Sequence, residues 1–422
     1  MSDEKWTPLY HCMSMVVEDV ERYRRGLGGY HPVVLGDTLM DKRYTILRKL
    51  GYGAFSTVWL ARDERLSKLR AVKICTAITP KDTHLESDKA QKIQKLAEKH
   101  LGHEHILFPA EAFKHVGPNG THDCLVMEIM VDPFKDGETC PPLFLKNIAY
   151  QLLLALDCLH QCGYVHSDGK PVDEHAPAYL VSTESDIEED GGDESGSESE
   201  GGEEDGESSD PEVQEPEVLE SSIFKLADLG SCFPKDQKQD FFATPKGVKA
   251  PELFFEFASP GTYEKMDIWA LGCTLHELLV GYSMFAFGYE PIEPGDVQGR
   301  QLQVLSNMID RLGPIPSHLV PNLGAIKDYV DKDGRLKPSE AVDRVRSEDK
   351  TTLSELLLNG IETTEMPWDE EAGRHKHIDV IKAVPENERD DFHDLLLKMM
   401  DWDPARRITA AEALEHPWFA GL

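Results

Sequence analysis

The strongest constraint on the fold is a pair of glycines between two strand-like runs near the start of the chain. The runs are 44–50 (YTILRKL) and 56–61 (STVWLA), and both are rich in β-branched, aromatic and apolar residues. Between them stand Gly51 and Gly53, which predict a tight turn with little side-chain bulk. We therefore expect a β-hairpin whose backbone amides can approach phosphate groups. The second strand argues against a dinucleotide-binding loop, which would open a helix.

Lys73 stands in the next strand-like segment, after Ala71. Its neighbours Val72 and Ile74 are apolar, which indicates a buried strand and disfavours the alternative of a solvated surface lysine. A buried lysine beside such a hairpin is suited to pairing with the α- and β-phosphates of a nucleotide. Val58 and Ala71 would form apolar walls around the base. The nucleotide-binding residues predicted in this region are Leu50, Gly51, Gly53, Val58, Ala71 and Lys73.

The stretch 163–171 (GYVHSDGKP) is the candidate catalytic segment. It is typical of a strand that runs into a polar loop, with His166, Asp168 and Lys170 at alternate positions. Phosphoryl transfer needs a carboxylate that orients the attacking hydroxyl and accepts its proton, together with a cation near the moving group. We predict Asp168 as this base and Lys170 as this cation. For the motif taken alone, an ordinary polar turn remains the alternative.

Asp228 is the candidate metal ligand. It follows the apolar run 223–227 and precedes a Leu-Gly pair, which predicts a carboxylate at the end of a strand. Such a carboxylate is suited to hold Mg²⁺ that bridges nucleotide phosphates. The alternative is an Asp that merely opens a loop, and the other motifs in the same chain disfavour it.

Two further carboxylates follow at positions that predict structural roles. Asp267, near the start of a predicted helix, is expected to hold the backbone of the catalytic loop. Glu252 is expected to pair with Arg407 as an ion pair within the larger half of the protein.

A Lys-, Glu- and Gln-rich stretch at 82–101 predicts a helix that should carry a glutamate partner for Lys73. If Ile93 and Leu96 face inward, Gln91 or Lys92 falls where that glutamate is expected. The carboxylates available to Lys73 are Glu86 and Glu98. The sequence leaves this choice open.

The apolar run 124–130 predicts a buried strand that reaches a hinge. The backbone around Glu128 and Met130 could bind adenine there, and Leu180 is predicted to form the floor of the adenine site. Apolar residues at helical spacing predict an amphipathic helix at 143–161. The other helical predictions are 14–25, 263–280, 298–312, 340–360 and 410–415.

Net charge is distributed unevenly along the chain. Of the net charge of −33, 18 negative charges lie in 182–220 without a single Lys or Arg, so the rest of the chain carries −15. The low hydrophobicity of this segment predicts disorder. Its serines precede acidic residues and suit acidophilic kinases, but a purely solvating insert is the alternative. The acidic remainder favours a basic protein partner and disfavours direct nucleic-acid binding.

Cysteine usage and apolar runs indicate the compartment. Eight cysteines are scattered along the chain without a CxxC pair, which favours a reducing cytoplasmic or nuclear environment. The charged start, MSDEKWTPLY, does not resemble a signal peptide. No apolar run approaches the length needed to cross a bilayer, so we expect no membrane partner.

These motifs together resemble the eukaryotic Ser/Thr protein kinases, and most closely the SR-protein-specific kinases. The specific matches are Gly28-Gly-Tyr-His-Pro-Val33, Leu47-Arg-Lys-Leu-Gly51, Ala54-Phe-Ser-Thr-Val-Trp-Leu-Ala61 and an insert before Asp228-Leu-Gly230. The resemblance implies an α+β bilobal kinase fold with a β-rich N-lobe and a helical C-lobe. It implies Mg²⁺ and ATP as cofactors, a basic Arg/Ser-rich substrate of the splicing machinery, and a monomer. The domain boundaries expected are 1–43 for an N-terminal extension, 44–130 for the N-lobe, 131–181 and 222–422 for the C-lobe, and 182–221 for the insert.

The chain departs from the kinase pattern at several positions of the candidate site, including Gly169 and Val248-Lys249, and two further departures bear directly on function. Asp173 stands where kinases carry a metal-binding Asn, and we predict that it serves as the second Mg²⁺ ligand. Its extra charge beside Asp168 and Asp228 also supports an alternative, a degenerate kinase that acts as a nucleotide-binding or partner-binding scaffold. Ser167 replaces an Arg that reads a phosphorylated activation loop, so we expect activity without loop phosphorylation.

Overall fold

The computed structural model contains two compact units. The first comprises the described residues up to Ser87 together with Pro109–Met127, and the second comprises Asp88–Phe108 and Glu128–Leu422. The predicted helix at 14–25 and the acidic segment beyond Ser182 lie outside the described residues. The structure describes residues 29–53, 55–78, 85–131, 140–167, 179–182, 222–239, 242, 244–280, 283–285, 296–346, 351–359, 361–365, 368–369, 374–375, 378–382 and 384–422.

The first unit is built on a six-stranded antiparallel sheet with the order β1-β2-β3-β4-β6-β5. Its strands are β1 (Thr38–Leu39), β2 (Tyr44–Gly53), β3 (Ser56–Asp63), β4 (Lys68–Ala77), β5 (Glu111–Gly117) and β6 (Gly120–Met127). The strands predicted on both sides of the glycines and around Lys73 are confirmed as β2, β3 and β4. The predicted hairpin is therefore present, but its glycines are not in the turn itself: Gly51 pairs with Val58 and Gly53 with Ser56, so both lie in β2 and Gly53 borders the turn.

One face of this sheet carries the hydrophobic core of the first unit. Trp59 pairs with Val72 across β3 and β4, and Val72 pairs with Val126 across β4 and β6. Paired residues point to the same face, and side chains alternate along each strand. The buried cluster on this face consists of Leu39, Tyr44, Ile46, Trp59, Ala61, Val72, Ile74, Cys124 and Val126. The residues between them in sequence point to the other face.

The second unit is mainly helical. Among its described residues no helix is both long and apolar enough to cross a membrane. The first helix, α1, has its first two residues in the first unit's part of the chain. The helices are α1 (Glu86–Ala97), α2 (Pro142–Gln161), α3 (Pro251–Phe254), α4 (Glu264–Val280), α5 (Val297–Leu312), α6 (Glu340–Val345), α7 (Leu353–Asn359), α8 (Arg389–Met399) and α9 (Ala410–Leu414).

Short antiparallel strand pairs complete this unit. The strands are β7 (Met130–Val131), β8 (Tyr164–Val165), β9 (Tyr179–Ser182), β10 (Phe224–Leu226), β11 (Phe233–Pro234), β12 (Ile361–Glu365), β13 (Trp368–Asp369), β14 (Arg374–His375) and β15 (Ile378–Lys382). Strands β10, β9 and β7 form a three-stranded sheet, and β8 pairs with β11. In sequence, the acidic segment connects β9 to β10, and its apolar flanks predicted this position between two strands.

Helices α2 and α4 form the centre of the second unit's core. Helix α2 begins with Pro142 at its first position and ends before Gly163, whose φ of +82° turns the chain sharply. Helix α4 is buried around nearly its whole surface, and Trp269 and Ile268 are 0% exposed. The chain therefore leaves α2 at a fixed place and enters β8, which leads to the candidate catalytic loop.

A buried ion pair joins α3 to the C-terminal region. The guanidinium of Arg407 contacts both carboxylate oxygens of Glu252 at 2.7 and 3.0 Å. Their side chains are 0% and 2% exposed. The predicted pair is confirmed, and its two parallel hydrogen bonds satisfy the geometry of a bidentate Arg–carboxylate contact.

Two helix predictions need correction. Among the described residues of the helix predicted at 82–101, the α-helix extends only over α1. Its inward face differs from the prediction: Leu96 is 56% exposed, whereas Ala90 and Ile93 are 0% exposed. Small residues on that face allow close packing, so the large leucine is not required there. The stretch predicted as helical at 340–360 forms two short helices, α6 and α7, because α6 ends at Arg346 in an extended conformation.

Candidate active site

Lys73 lies on the face of the sheet opposite the hydrophobic core. It pairs with Val58 across β3 and β4 and with Leu125 across β4 and β6. Gly51 pairs with Val58, and Ala71 lies two residues before Lys73, so both belong to the same face. Four residues predicted to bind nucleotide are therefore adjacent on one surface. Lys73 is only 7% exposed, as expected for a strand lysine that is not solvated.

A salt bridge to Glu86 holds the ammonium group of Lys73. The distance from Nζ to Oε1 is 2.8 Å, and both side chains are largely buried. A buried charge is costly without a partner, so this contact stabilises and orients the side chain of Lys73. Glu86 is the first residue of α1, whereas Glu98 is exposed beyond its end. The glutamate thus comes before the expected position at Gln91 or Lys92.

The segment before the sheet holds the glycine-rich turn. Tyr30 is 0% exposed, and its hydroxyl donates a hydrogen bond to the carbonyl of Gly53. The side-chain amide of Asn119 donates to the carbonyl of Tyr30. A Cβ placed on Gly53 would meet no described atom within 4 Å, so the turn leaves room beside its backbone. Leu50 lies at an irregularity in the β2–β3 pairing, next to this turn.

Asp267 in α4 fastens the segment that leads to Asp168. Its carboxylate accepts hydrogen bonds from the backbone N–H of His166 at 2.8 Å and of Ser167 at 2.9 Å. His160, in the last turn of α2, donates from Nε2 to the same carboxylate at 2.9 Å. The predicted role of Asp267 is confirmed. These bonds hold Ser167 at a φ of +69°, a conformation that is uncommon for a residue with a side chain.

Asp228 opens a short 3₁₀ turn, Leu229–Ser231, directly after β10. Its φ is +64°, and its Oδ1 accepts a hydrogen bond from the N–H of Gly230 at 3.2 Å. The side chain is exposed. His166 donates from Nε2 to the carbonyl of Ala227 at 2.9 Å. The candidate catalytic loop and the turn of the candidate metal ligand are thus bonded directly to each other.

Lys89 of α1 contacts the same turn, and no sequence motif predicted it. Its Nζ donates to the carbonyls of Gly230 and Cys232, the latter at 3.2 Å. One turn further along the helix, the Nζ of Lys92 lies 5.6 Å from the ring centroid of Tyr164. In the sequence these are two of several charged residues in an amphipathic helix. The pattern therefore offers no signal that separates them from solvated lysines.

The residues predicted to bind adenine lie in and beside the three-stranded sheet. Met130 belongs to β7 and pairs with Ser182, while Leu180 of β9 pairs with Lys225 of β10. The carboxylate of Glu128 forms a salt bridge with the Nζ of Lys225. These contacts fix the backbone of the segment. The binding of adenine by Glu128, Met130 and Leu180 stays a prediction.

Asp168, Lys170 and Asp173 lie outside the described residues, so their roles also stay predictions. In the described part of the chain, no group of three or more His, Cys, Asp or Glu side chains is arranged to hold a metal ion. Of the two predicted Mg²⁺ ligands, Asp228 alone is described.

Each unit, taken by itself, contains described residues that suit one part of a magnesium nucleotide. An exposed carboxylate such as that of Asp228 supplies the oxygen ligand that Mg²⁺ prefers. Lys73 supplies a fixed cation, and the hairpin of Gly51 and Gly53 supplies backbone amides without side-chain bulk. Phosphate groups are bound in proteins by this combination of cations and backbone N–H groups.

Comparison with known proteins identifies the class that this fold and site define. The chain matches the family Protein kinase domain over residues 44–173 and 217–419, which is most of its length. The chain belongs to the protein kinase family. The predicted α+β kinase fold is therefore confirmed.

Individual relatives refine this class. The serine/threonine-protein kinase SRPK of Physarum polycephalum is 26% identical over 431 residues, which cover 96% of this chain and 92% of that protein. Protein kinase dsk1 of Schizosaccharomyces pombe is 42% identical over 163 residues, or 36% of this chain and 30% of that kinase. Serine/threonine-protein kinase SKY1 of Saccharomyces cerevisiae is 36% identical over 173 residues, or 38% and 23%. The matched region thus spans less than a third of the length of dsk1 and of SKY1. The resemblance to SR-protein kinases is confirmed.

Proposed function

We propose that this chain is an ATP-dependent Ser/Thr protein kinase that phosphorylates serines in basic, Arg/Ser-rich proteins of the splicing machinery. The observation that carries the proposal is the salt bridge between Lys73 and Glu86, on the sheet face that also carries Gly51 and Val58. A Lys–Glu pair of this kind must be in place for protein kinases to transfer phosphate. Membership of the kinase family and relatives named serine/threonine-protein kinases support the same class.

The chain's own residues have the following roles in this proposal. Asp168 orients the serine hydroxyl and accepts its proton, and Lys170 neutralises charge at the γ-phosphate. Lys73 orients the α- and β-phosphates, and Asp228 with Asp173 holds Mg²⁺ through carboxylate oxygens. When bound, Mg²⁺ and ATP supply the transferable phosphoryl group and the charge neutralisation that it requires.

The charge of the chain supports a basic protein substrate. Outside the acidic segment the chain carries a net charge of −15, which attracts Arg-rich peptides and repels nucleic acid. The resemblance to the SR-protein-specific kinases implies the same substrate class. We propose a monomer that acts in the cytoplasm and nucleus without a nucleic-acid or membrane partner.

Activity independent of activation-loop phosphorylation belongs to the same proposal. Ser167, where many kinases carry an Arg, has no charge with which to read a phosphate. Its carbonyl accepts a hydrogen bond at 2.7 Å from the hydroxyl of Thr244, which belongs to the activation segment expected at 231–249. A neutral hydrogen bond thus links the two segments, and its formation needs no added phosphate.

Phosphate transfer from labelled ATP to an Arg-Ser repeat peptide tests the proposal, with Asp168→Asn as the matched control. We expect transfer by the wild type and a loss of at least about 100-fold in the variant, because general base catalysis contributes that much or more. Equal signals from the two proteins would overturn the proposal and leave the degenerate-kinase alternative. No comparison favours that alternative at present.

A further inference from the structure

We propose that Lys89 is a positioning residue for the metal-binding turn at Asp228. This inference rests on the proposed function, because Asp228 is a predicted Mg²⁺ ligand. The Nζ of Lys89 donates hydrogen bonds to the carbonyls of Gly230 and Cys232. Gly230 lies within the turn Leu229–Ser231 that Asp228 opens, and Cys232 closes that turn. One side chain thus holds both the middle and the end of the turn.

The turn needs such support because its first residue is strained. Asp228 has a φ of +64°, and a non-glycine residue persists in this region only where the surrounding structure holds it there. Besides Lys89 and the bond from Gly230 to Asp228, three other features contribute. Leu229 is 2% exposed, the N–H of Cys232 donates to the carbonyl of Leu229 at 3.2 Å, and His166 holds Ala227. Lys89 differs from these three in that it acts from a separate helix, α1.

Helix α1 gives Lys89 a fixed base. Ala90, the next residue, and Ile93 are 0% exposed and belong to the core cluster of the second unit. Lys92, one turn further, places its ammonium over the ring of Tyr164 in β8. The face of α1 that carries the two lysines therefore contacts both the turn of the metal ligand and the strand before the catalytic loop.

The chemistry of lysine suits this role. An ammonium group has three donors and no acceptor, so it can bind two carbonyls at once, and charge-assisted bonds are stronger than neutral ones. Its positive charge has the opposite effect on a nearby metal, because like charges repel. The two effects therefore predict changes of opposite sign in Mg²⁺ affinity when Lys89 is removed. Removing Lys89 should weaken Mg²⁺ binding if it orients Asp228, and strengthen Mg²⁺ binding if only its charge matters.

Calorimetric titration of Mg²⁺ in the presence of ADP separates these two effects in the full-length chain. For Lys89→Met we expect Mg²⁺ affinity to fall by about 10-fold or more, the usual effect of removing a residue that orients a metal ligand. Lys89→Arg keeps donors for both carbonyls and should recover most of the loss. Lys95→Met makes the same chemical change on the same helix at an exposed position, and should match the wild type. Unchanged or tighter Mg²⁺ binding by Lys89→Met would overturn the inference.

Hydrogen exchange of the ligand-free protein gives a second readout. We expect faster exchange of the amides of residues 229–233 in Lys89→Met, while the amides of α2 keep wild-type rates. Unchanged exchange at 229–233 would contradict the inference. If Lys89→Met does not fold, Lys89→Gln retains one donor pair and should show a smaller change of the same sign in both readouts.

These readouts distinguish failure of the inference from failure of the proposed function. If the wild type transfers no phosphate, the kinase proposal is refuted. If Lys89→Met nevertheless binds Mg²⁺ more weakly than the wild type, the role of Lys89 is retained. If the wild type phosphorylates the Arg-Ser peptide, and Lys89→Met changes neither the Mg²⁺ affinity nor the exchange of residues 229–233, the role of Lys89 alone is refuted.

Discussion

Tyr30 is bonded to Gly53, which links the segment before the sheet to the turn of the glycine-rich hairpin. The side chain of Tyr30 is 0% exposed, and its backbone carbonyl is held in turn by Asn119. Tyr30 lies outside the residues that match the kinase family, which begin at 44. The turn predicted to bind phosphates therefore depends on a residue that the family domain does not include.

Tyr30→Phe should weaken ATP binding without unfolding the protein. The variant removes one hydrogen bond worth about 0.5–1.5 kcal/mol, which corresponds to an increase of about 2- to 10-fold in the KM for ATP. The KM for the peptide should stay the same. Steady-state kinetics with each substrate varied separately measures both values. Tyr329→Phe, a hydroxyl deletion in the second unit, is the control, and an unchanged KM for ATP in Tyr30→Phe would refute the role of the bond.

Glu86→Gln tests the ion pair that carries the proposed function. The amide keeps the shape of the side chain and loses the charge that orients Lys73. A hydrogen bond to a charged group is worth about 1.5–3 kcal/mol, so we expect kcat/KM to fall by about 10- to 150-fold. Glu98→Gln makes the same change on an exposed side chain of the same region and should leave kcat/KM unaltered. A fall of kcat/KM in Glu98→Gln but not in Glu86→Gln would show that Glu98 is the partner of Lys73.

The buried pair of Glu252 and Arg407 predicts a stability effect. Removing one partner leaves an uncompensated buried charge, so Glu252→Gln or Arg407→Met should each destabilise the protein by about 3–5 kcal/mol. The double variant should lose less than the sum of the single losses, because neither charge is then left alone. Urea denaturation measures the three values. Additive losses would show that the two side chains do not interact.

Local sequence patterns were sufficient to predict much of the fold. Alternating and continuous apolar runs gave the hairpin and the strand of Lys73 because their spacing reflects side-chain direction directly. The roles of Asp267 and Arg407 could also be predicted, since each belongs to a motif with a fixed place in the kinase fold.

The contacts that could not be predicted join a side chain to a distant backbone carbonyl. Lys89 with Gly230 and Tyr30 with Gly53 are of this kind, and a carbonyl leaves no mark on the sequence. The prediction of which face of α1 is buried was wrong for a different reason. Its buried face is built partly on alanine, so the exposed Leu96 gave a misleading apolar signal.

Three histidine rings cluster in the first unit. The ring centroid of His31 lies 4.5 Å from that of His115 and 5.1 Å from that of His122. Burial, together with these two neighbours, lowers the pKa of His31 to about 4, although Asp37 opposes the shift. Burial also lowers the pKa of His115 and His122. The environment of the cluster therefore favours the neutral form of these three imidazole rings.

Stability should consequently fall as the solution is acidified. The unfolded chain, with an ordinary histidine pKa near 6.5, binds protons that the folded His31 rejects, so its contribution is complete above about pH 6.5 and decreases towards pH 4. At pH 5 the loss from His31 is on the order of 2 kcal/mol. Urea midpoints at pH 7 and pH 5 measure it. His31→Gln should reduce the difference, whereas His318→Gln, at a side chain 55% exposed, should not.

The acidic segment can be removed with a defined replacement because the strands on its two sides are paired. Val181 lies opposite Phe224 and Leu180 opposite Lys225, so the ends of β9 and β10 are adjacent at Ser182. In this register Ser182 lies opposite residue 223, so Asn-Gly followed by the retained Ser222 would form a three-residue loop, a common length for antiparallel hairpins. Replacing residues 183–221 by Asn-Gly therefore preserves every strand contact that the structure describes.

We expect this replacement to leave the fold intact and the melting temperature unchanged or raised. Shortening the connection lowers the entropy cost of closing the loop, by up to about 2 kcal/mol for several halvings of its length. A second variant keeps the length and exchanges the acidic residues for Asn and Gln, which separates the effect of charge from that of length. A large drop in melting temperature in the shortened protein would mean that the segment packs against the body. A drop in the charge variant alone would mean that its carboxylates do so, since loop length is then constant.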